Sequence, residues 1–128
     1  MQKFTLEILL KIIGIGSASG LFYSENFLYI VSDNSTFLYH YNIPDSTATK
    51  IKLFENSQEN LKKKEKLDFE SLLQKDKKLY LFGSGSKAHR QKLVVYDPKN
   101  AKTTETDLTP IYDAFRKVAQ IPKNELNI

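Results

Sequence analysis

The side chains with the greatest chemical capacity fall in two short stretches. Asp68-Phe69-Glu70 sets two carboxylates two residues apart, and Gly83-Ser84-Gly85-Ser86, followed by Arg90, supplies hydroxyls, flexible backbone amides and a guanidinium. If residues 68–70 are extended, Asp68 and Glu70 project to one face. Two carboxylates so placed can ligate a hard cation such as Ca²⁺, which takes about six to eight oxygens. Ser32 and Asp33, with Ser17 and Ser19, stand at matching places earlier in the chain and can add oxygens. The Gly-Ser-Gly-Ser turn with Arg90 can instead hold a small anion through backbone N–H groups and a charged fork. The plainer alternative is that Asp68 and Ser32 tie down strand ends and turns, as short polar side chains commonly do.

Nucleophilic chemistry has thin support. A hydrolase needs a nucleophile, a base and a group that orients the base. Serines are plentiful, but the histidines are His40 and His89 alone. Gly83–Ser86 is not a Gly-x-Ser-x-Gly elbow, because Lys87 follows. His40 sits between Tyr39 and Tyr41 in an apolar run and reads as structural, whereas His89 beside Arg90 lies in a loop. No Walker loop, dinucleotide fingerprint or His-x-x-x-His pair occurs, and with no cysteine there is neither a disulfide scaffold nor a thiolate site. The net charge of +4 comes almost wholly from lysine; of 19 basic residues only Arg90 and Arg116 are arginine. The run Lys62-Lys63-Lys64-Glu65-Lys66 stands among Glu55, Glu59, Asp68 and Glu70. That is the composition of a solvated loop, so nucleic acid is not the expected partner. No apolar run approaches the ~20 residues of a membrane helix.

An internal repeat must position these groups. Ser19-Gly20-Leu21, Leu28-Tyr29-Ile30-Val31-Ser32-Asp33 and Leu38-Tyr39-His40-Tyr41 are matched by Glu70-Ser71-Leu72, Leu79-Tyr80-Leu81-Phe82-Gly83-Ser84 and Leu93-Val94-Val95-Tyr96. Leu21 and Tyr29 find their counterparts 51 positions on, at Leu72 and Tyr80, and Leu38 finds Leu93 after 55. A period near fifty made of short strands is the pattern of propeller blades. Blade-like repeats are expected over residues 17–54 and 68–107, with turns at Ser24-Glu25-Asn26 and Gln74-Lys75-Asp76. Fourth strands are expected at Thr49–Phe54 and Lys102–Asp107. Asn56–Lys66 lacks alternation and reads as a loop or a short helix. The tyrosines at 29, 39, 41, 80 and 96 read as packing between blades. A helix is expected over 108–119, capped by Asp107 and started by Pro110, with Ile111, Ala114, Phe115 and Val118 as its apolar face.

The ends of the chain carry their own expectations. Phe4, Leu6, Ile8, Leu10 and Ile12 alternate with Lys3, Thr5, Glu7 and Lys11, which predicts a strand with one buried face. Glu7 and Lys11 interrupt the apolar run that a secretory signal needs, so a cytoplasmic location is expected. Asn124-Glu125-Leu126-Asn127-Ile128 reads as the start of another inner strand. Propellers close with about four to eight blades, and two copies fill this chain. The expected fold class is therefore all-β, with two antiparallel propeller-type blades, an incomplete propeller, and one short helix near the C-terminus. Such a chain reads as a piece of a longer protein, and its unpaired blade edges are expected to self-associate. The alternative is a small complete β-sandwich.

Gly16-Ser17-Ala18-Ser19-Gly20-Leu21, Leu28–Asp33, Leu67-Asp68-Phe69-Glu70-Ser71-Leu72 and Leu81–Ser86 with Arg90 together resemble the N-terminal part of an uncharacterised bacterial family, a domain of unknown function. That family is β-propeller-like and distantly similar to esterase-like phytase propellers. The resemblance covers nearly the whole chain and about half of such a protein, and Ser71 departs from the glycine usual there. It implies a propeller fold but transfers no catalytic residue. Binding of a small anion or a divalent cation at the channel face, through Asp68, Glu70, Ser84, Ser86, Arg90, Ser32 and Asp33, is the expected function. Asp68 and Glu70 are the expected metal ligands. A hydrolase of esters or phosphates and a non-catalytic interaction scaffold are the alternatives.

Overall fold

The computed structural model describes residues 1–123 and 125–127. Eight strands form two four-stranded antiparallel sheets, and each sheet is a simple meander. The first holds β1 (Ala18–Ser24), β2 (Phe27–Ser32), β3 (Phe37–Asn42) and β4 (Thr47–Lys52). The second holds β5 (Phe69–Lys75), β6 (Lys78–Gly83), β7 (Lys92–Asp97) and β8 (Lys102–Asp107). Both sheets are blade-like, and the spacing of 51 rising to 55 holds at the level of single backbone features. Ser17 and Asp68, 51 apart, both take left-handed φ, at 51° and 58°. A β-bulge follows each, between Ala18 and Gly20 and between Phe69 and Ser71. Asp33 N–H then donates to Ser17 O, just as Ser84 N–H donates to Asp68 O. Ser46 and Ala101, 55 apart, share φ 53° before β4 and β8. The second hairpin turns at Asp76-Lys77, one residue beyond the expected place, with both φ values positive as a tight I′ turn requires.

Strand alternation sorts the side chains into layers. Val31 and Leu38 of the first blade meet Phe69, Leu79, Leu81, Val94 and Tyr96 of the second in the main core. Tyr29 packs on the edge of this core, while Tyr39 and Tyr41 line the opposite face of the first blade with Leu28 and Ile30. The tyrosines thus divide between the inter-blade core and an outer face. The inner strands β1 and β5 approach closely at Gly20, where an added Cβ would lie 2.8 Å from Val31 Cγ2 and 3.2 Å from Ser71 Cα. Ser19 Oγ donates to Phe69 O across the same seam.

Each outer face has a thin cover. On the second blade this is α1 (Thr109–Ala119), which begins at Thr109, whose N–H and hydroxyl both donate to Asp107. It ends at Gln120 in the left-handed conformation. Its buried face is not the expected one. Tyr112 and Arg116 are buried, while Ile111, Phe115 and Val118 are 48%, 52% and 86% exposed. The physical reason lies in the loop beneath. The Tyr112 hydroxyl donates to Gly83 O and Arg116 Nη2 to Gly85 O, each at 2.7 Å, so the helix turns its donors toward buried carbonyls. Gly85, at φ 76°, leaves the space that the Tyr112 ring occupies.

On the first blade the cover is an extended N-terminal arm. Phe4–Ile12 is not a strand: the arm lies across the outer face of the first blade rather than along an edge of its sheet. Leu10, Ile12 and Ile15 rest on the outer face, while Phe4, Leu6 and Ile8 are exposed. With no strand over Phe4–Ile12, Glu7 and Lys11 alone set this stretch apart from the unbroken apolar run of a secretory signal. Asn56–Lys66 is an irregular loop with a turn at residues 63–65. At the C-terminus, residues 125–127 are not a strand, and Leu126 packs on Leu108 and Tyr112. The rest of that expected strand, Asn124 and Ile128, lies outside the described residues. Among the described residues no helix is long and apolar enough to cross a membrane.

The seam sets a stability prediction. Gly20→Ala drives a Cβ against Val31 Cγ2 and crowds the Ser71 backbone across the seam, and it is expected to cost ~1–3 kcal/mol in urea unfolding. Gly16→Ala, where the added Cβ meets nothing within 4 Å, is expected to be close to neutral.

Candidate functional site

Of the expected site residues, Asp68, Ser84, Ser86 and Arg90, with Asp33 through Lys66, meet around one buried carboxylate at the mouth where β1 and β5 begin. Asp68 precedes β5 in a left-handed conformation, which places it outside the strand. Aspartate tolerates this region better than most residues. The bulge that follows then removes the simple two-residue alternation with Glu70. Asp68 is 6% exposed. Its Oδ2 accepts from Ser84 Oγ at 2.6 Å and from Arg90 Nη1 at 2.8 Å, and its Oδ1 lies 3.3 Å from Lys66 Nζ.

The partners extend the network to both blades. Lys66 also donates to Asp33 Oδ2 at 2.7 Å, so one ammonium joins the first blade's carboxylate to the second's. Arg90, itself 5% exposed, spends Nη1 on Asp68 and Ser86 and Nη2 on Lys63 O. Ser84 and Ser86 share a hydrogen bond of 2.9 Å. Ser32 Oγ donates to Gly16 O and Asn34 Oδ1, which closes the matching turn of the first blade. Thus Arg90 is a clamp on two loops, and an anion there would have to displace Asp68.

Electrostatics divide the two carboxylates that sequence reasoning paired. Burial works to raise the Asp68 pKa, but the Ser84 hydrogen bond, Arg90 and Lys66 outweigh it and hold the group below its ordinary value. Glu70 is half-buried, and its pKa is raised, first by burial and then by the Asp68 and Asp33 charges. Lys66 is raised, chiefly by its bond to Asp33. Asp33 Oδ1 is buried without a hydrogen-bond partner.

The remaining candidates separate from this mouth or add little chemistry to it. His40 lies against the rings of Phe27 and Tyr29, with centroids 5.3 and 4.9 Å away. His89 Nε2 is buried without a partner, and its pKa is lowered by burial and by Arg90 and Lys87. Ser84 Oγ gives its proton to an aspartate rather than to an imidazole, and a carboxylate held acidic by Arg90 is a weak base. Among the described residues no cluster of three or more His, Asp or Glu side chains is arranged to hold a metal ion. The group that sequence reasoning missed is Lys66. Its signal was its place two residues before Asp68, hidden inside a lysine run that reads as solvated.

These shifts give a pH dependence with two signs. Asp68 is more acidic folded than unfolded, so it stabilises fully above the unfolded value of about 3.9 and less as pH falls through its folded value. Glu70 has the opposite sign, since its ionisation is resisted in the folded state. Glu70→Gln is therefore expected to stabilise the protein at neutral pH, with a gain that vanishes on acidification below the unfolded glutamate value of about 4.3. Asp68→Asn leaves Arg90 buried without its counter-ion and is expected to cost ~3–5 kcal/mol at neutral pH. Urea titrations of both variants across acid pH read these effects.

Among curated proteins none matches this sequence. A family profile covers residues 14–128 and so leaves out the first part of the exposed arm. Both blades and the helix lie inside that match, and the chain belongs to a family of unknown function, DUF6929.

Proposed function

We propose that this chain is a pair of β-propeller-type blades that serves as a non-catalytic interaction module. The observation that carries this reading is the closure of the mouth network on itself. Asp68 is bound by Ser84, Arg90 and Lys66, and Lys66 returns to Asp33. Every strong charge of that network has a fixed opposite, which is the behaviour of a brace. The two blade-like sheets, packed face to face with inner strands adjacent, support the propeller reading. The hydrolase alternative finds a serine without an imidazole partner.

A second reading, binding of a divalent cation, is favoured by one specific feature. The Asp68 and Asp33 charges, after burial, raise the Glu70 pKa, and Asp33 Oδ1 is buried without a hydrogen-bond partner. Glu70 and Asp33 would be the ligands, with Asp68 contributing only by loosening its hold on Lys66. Repulsion among the carboxylates would fall on loading.

Thermal unfolding with Ca²⁺ raised to millimolar levels separates the two. The interaction-module reading expects no shift in Tm. A rise that saturates, and that is lost in Glu70→Gln, would establish the cation reading in its place, because a ligand bound only by the folded state must stabilise it. Hydrolysis of chromogenic esters that disappears in Ser84→Ala would overturn the non-catalytic assignment.

A further inference from the structure

The chain has two arginines, both buried, and their charges are answered differently. Arg90 meets Asp68, a buried carboxylate that Ser84 also holds. Arg116, 7% exposed, meets Asp113, which stands three residues back on the same helix with its side chain 57% exposed. An ion pair made with so exposed a carboxylate contributes little, so another anion can take that carboxylate's place. The rest of the Arg116 guanidinium is firmly held. Its Nη2 donates to Gly85 O at 2.7 Å, and the same carbonyl accepts from the buried Gln91 Nε2. Arg116 Nε is buried without a partner, as Arg90 Nε is, so the counter-ion is what separates the two arginines. A guanidinium fixed by the fold, with its anion lent by a surface side chain, is preorganised to receive an oxyanion.

Space and further positive charge lie beside it. A hollow of about 390 Å³ opens between the loop after β6 and the C-terminal end of α1, lined by Ser86, Lys87, Ala88, Gln91, Arg116 and Lys123. A second hollow, of about 560 Å³, shares Arg116 and Lys123 and adds Lys117. Lys87 comes from the loop, Arg116 from the helix and Lys123 from the segment beyond it, so three cations reach one place from three parts of the chain. Lys50, Lys66, Lys78 and Lys92 each pair with a carboxylate, whereas among the described residues Lys87 and Lys123 do not. Among the described residues no carboxylate lines the first hollow. Three cations around one hollow suit a group with several oxygens and more than one negative charge, which a phosphate has and a carboxylate lacks. The volume lies at the lower end of the ~300–1,000 Å³ of small-molecule sites. Three cations at one hollow are also too few and too local for the basic stripe of a nucleic-acid surface.

We propose that the hollow between Lys87, Arg116 and Lys123 binds a small phosphate-bearing molecule, a phosphomonoester or a diphosphate, whose oxygens replace Asp113 on Arg116 Nη1. The two lysines flank the phosphate, and Asp113 swings out to solvent. Arg90 would have to give up Asp68 to hold such an anion, while Arg116, bound to the same loop at Gly85, has a counter-ion it can release. The site uses none of the carboxylates Asp33, Asp68 and Glu70. It therefore goes beyond both the interaction-module and the cation readings and rests on neither.

Calorimetric titration of the whole chain with inorganic pyrophosphate, in metal-free buffer at fixed ionic strength, provides the test. Saturable binding with one site per chain is expected, and inorganic phosphate is expected to bind the same site more weakly. Lys87 and Lys123 are exposed, so Lys87→Ala combined with Lys123→Ala is expected to keep the fold, which circular dichroism checks. That double variant is expected to bind pyrophosphate at least about tenfold more weakly. Asp113→Asn removes the competing carboxylate and is expected to tighten binding about threefold or more. Asp45→Asn makes the same change of charge at an exposed turn of the first blade and is expected to leave the affinity as it is. Absence of saturation by about 10 mM pyrophosphate would overturn the proposal. So would a double variant that binds as the wild type does, an Asp113→Asn variant that does not tighten, or an Asp45→Asn variant that tightens equally. A short DNA duplex that binds more tightly than pyrophosphate, and loses its binding in the double variant, would replace the small molecule with a nucleic acid.

Discussion

The ionised carboxylate of Asp68 is the constraint on which the rest of the molecule turns. Burying it would be costly if it stood alone, because desolvation of a charge exceeds what most single contacts return. It is tolerable here because a serine hydroxyl, a guanidinium and an ammonium meet it, and each partner comes from a different segment. Ser84 follows β6, Arg90 ends the short 3₁₀ turn Ala88–Arg90, and Lys66 ends the long loop between the blades. One anion thus fixes where the second blade begins, how its longest internal loop folds back, and how far it sits from Asp33 of the first blade. Arg90 reaches further, to Lys63 O, so the otherwise irregular 56–66 loop is tied to the second blade as well.

The comparison between the blades shows why the charge appears only once. At the equivalent corner the first blade has the same left-handed residue, the same bulge and the same backbone hydrogen bond, but its pair is Ser17 with Asp33 where the second has Asp68 with Ser84. Serine and aspartate have exchanged places within one conserved geometry of the backbone. The exchange places two carboxylates on either side of the seam, and a single cation, Lys66, bridges them. The repeat therefore supplies the scaffold, and its imperfection supplies the brace.

Much of this was legible in the residues, and the failures have a common cause. The spacing of 51 and 55 located the first three strands of each blade, and local alternation added the fourth, β8 in place and β4 two residues late, since it runs Thr47–Lys52 rather than 49–54. The convergence of Asp68, Ser84, Ser86 and Arg90 was legible because the repeat puts them at one end of a blade. That Asp68 and Glu70 differ in environment was not, since a bulge and one positive φ undo an argument built on regular alternation. The helix at 109–119 was legible from Pro110 and its apolar spacing, but its orientation was not. Periodicity assumes that apolar residues face inward, whereas Tyr112 and Arg116 won the buried side by donating to the carbonyls of Gly83 and Gly85. The N-terminal alternation failed for a related reason. A pattern shows which face a segment would bury, but not whether it joins an edge or lies across a face, as this arm does.

The misread residues share a property that follows from blade geometry. A sheet in a stack has two apolar faces, and two sheets bury only the two that meet. The remaining two need cover from elements that are not sheets. An extended arm covers its face with three side chains, and a helix that devotes Tyr112 and Arg116 to hydrogen bonding has few apolar groups left to turn inward. Both covers are therefore incomplete, and both carry surplus apolar residues on their own outer sides, Phe4, Leu6 and Ile8 on the arm and Ile111, Phe115 and Val118 on the helix. Scattered apolar side chains are ordinary on any protein surface, but apolar residues gathered on the two capping elements of one stack are not. They fall where a third layer of the same architecture would lie, because a blade-like sheet satisfies its faces fully only when another stands on each side.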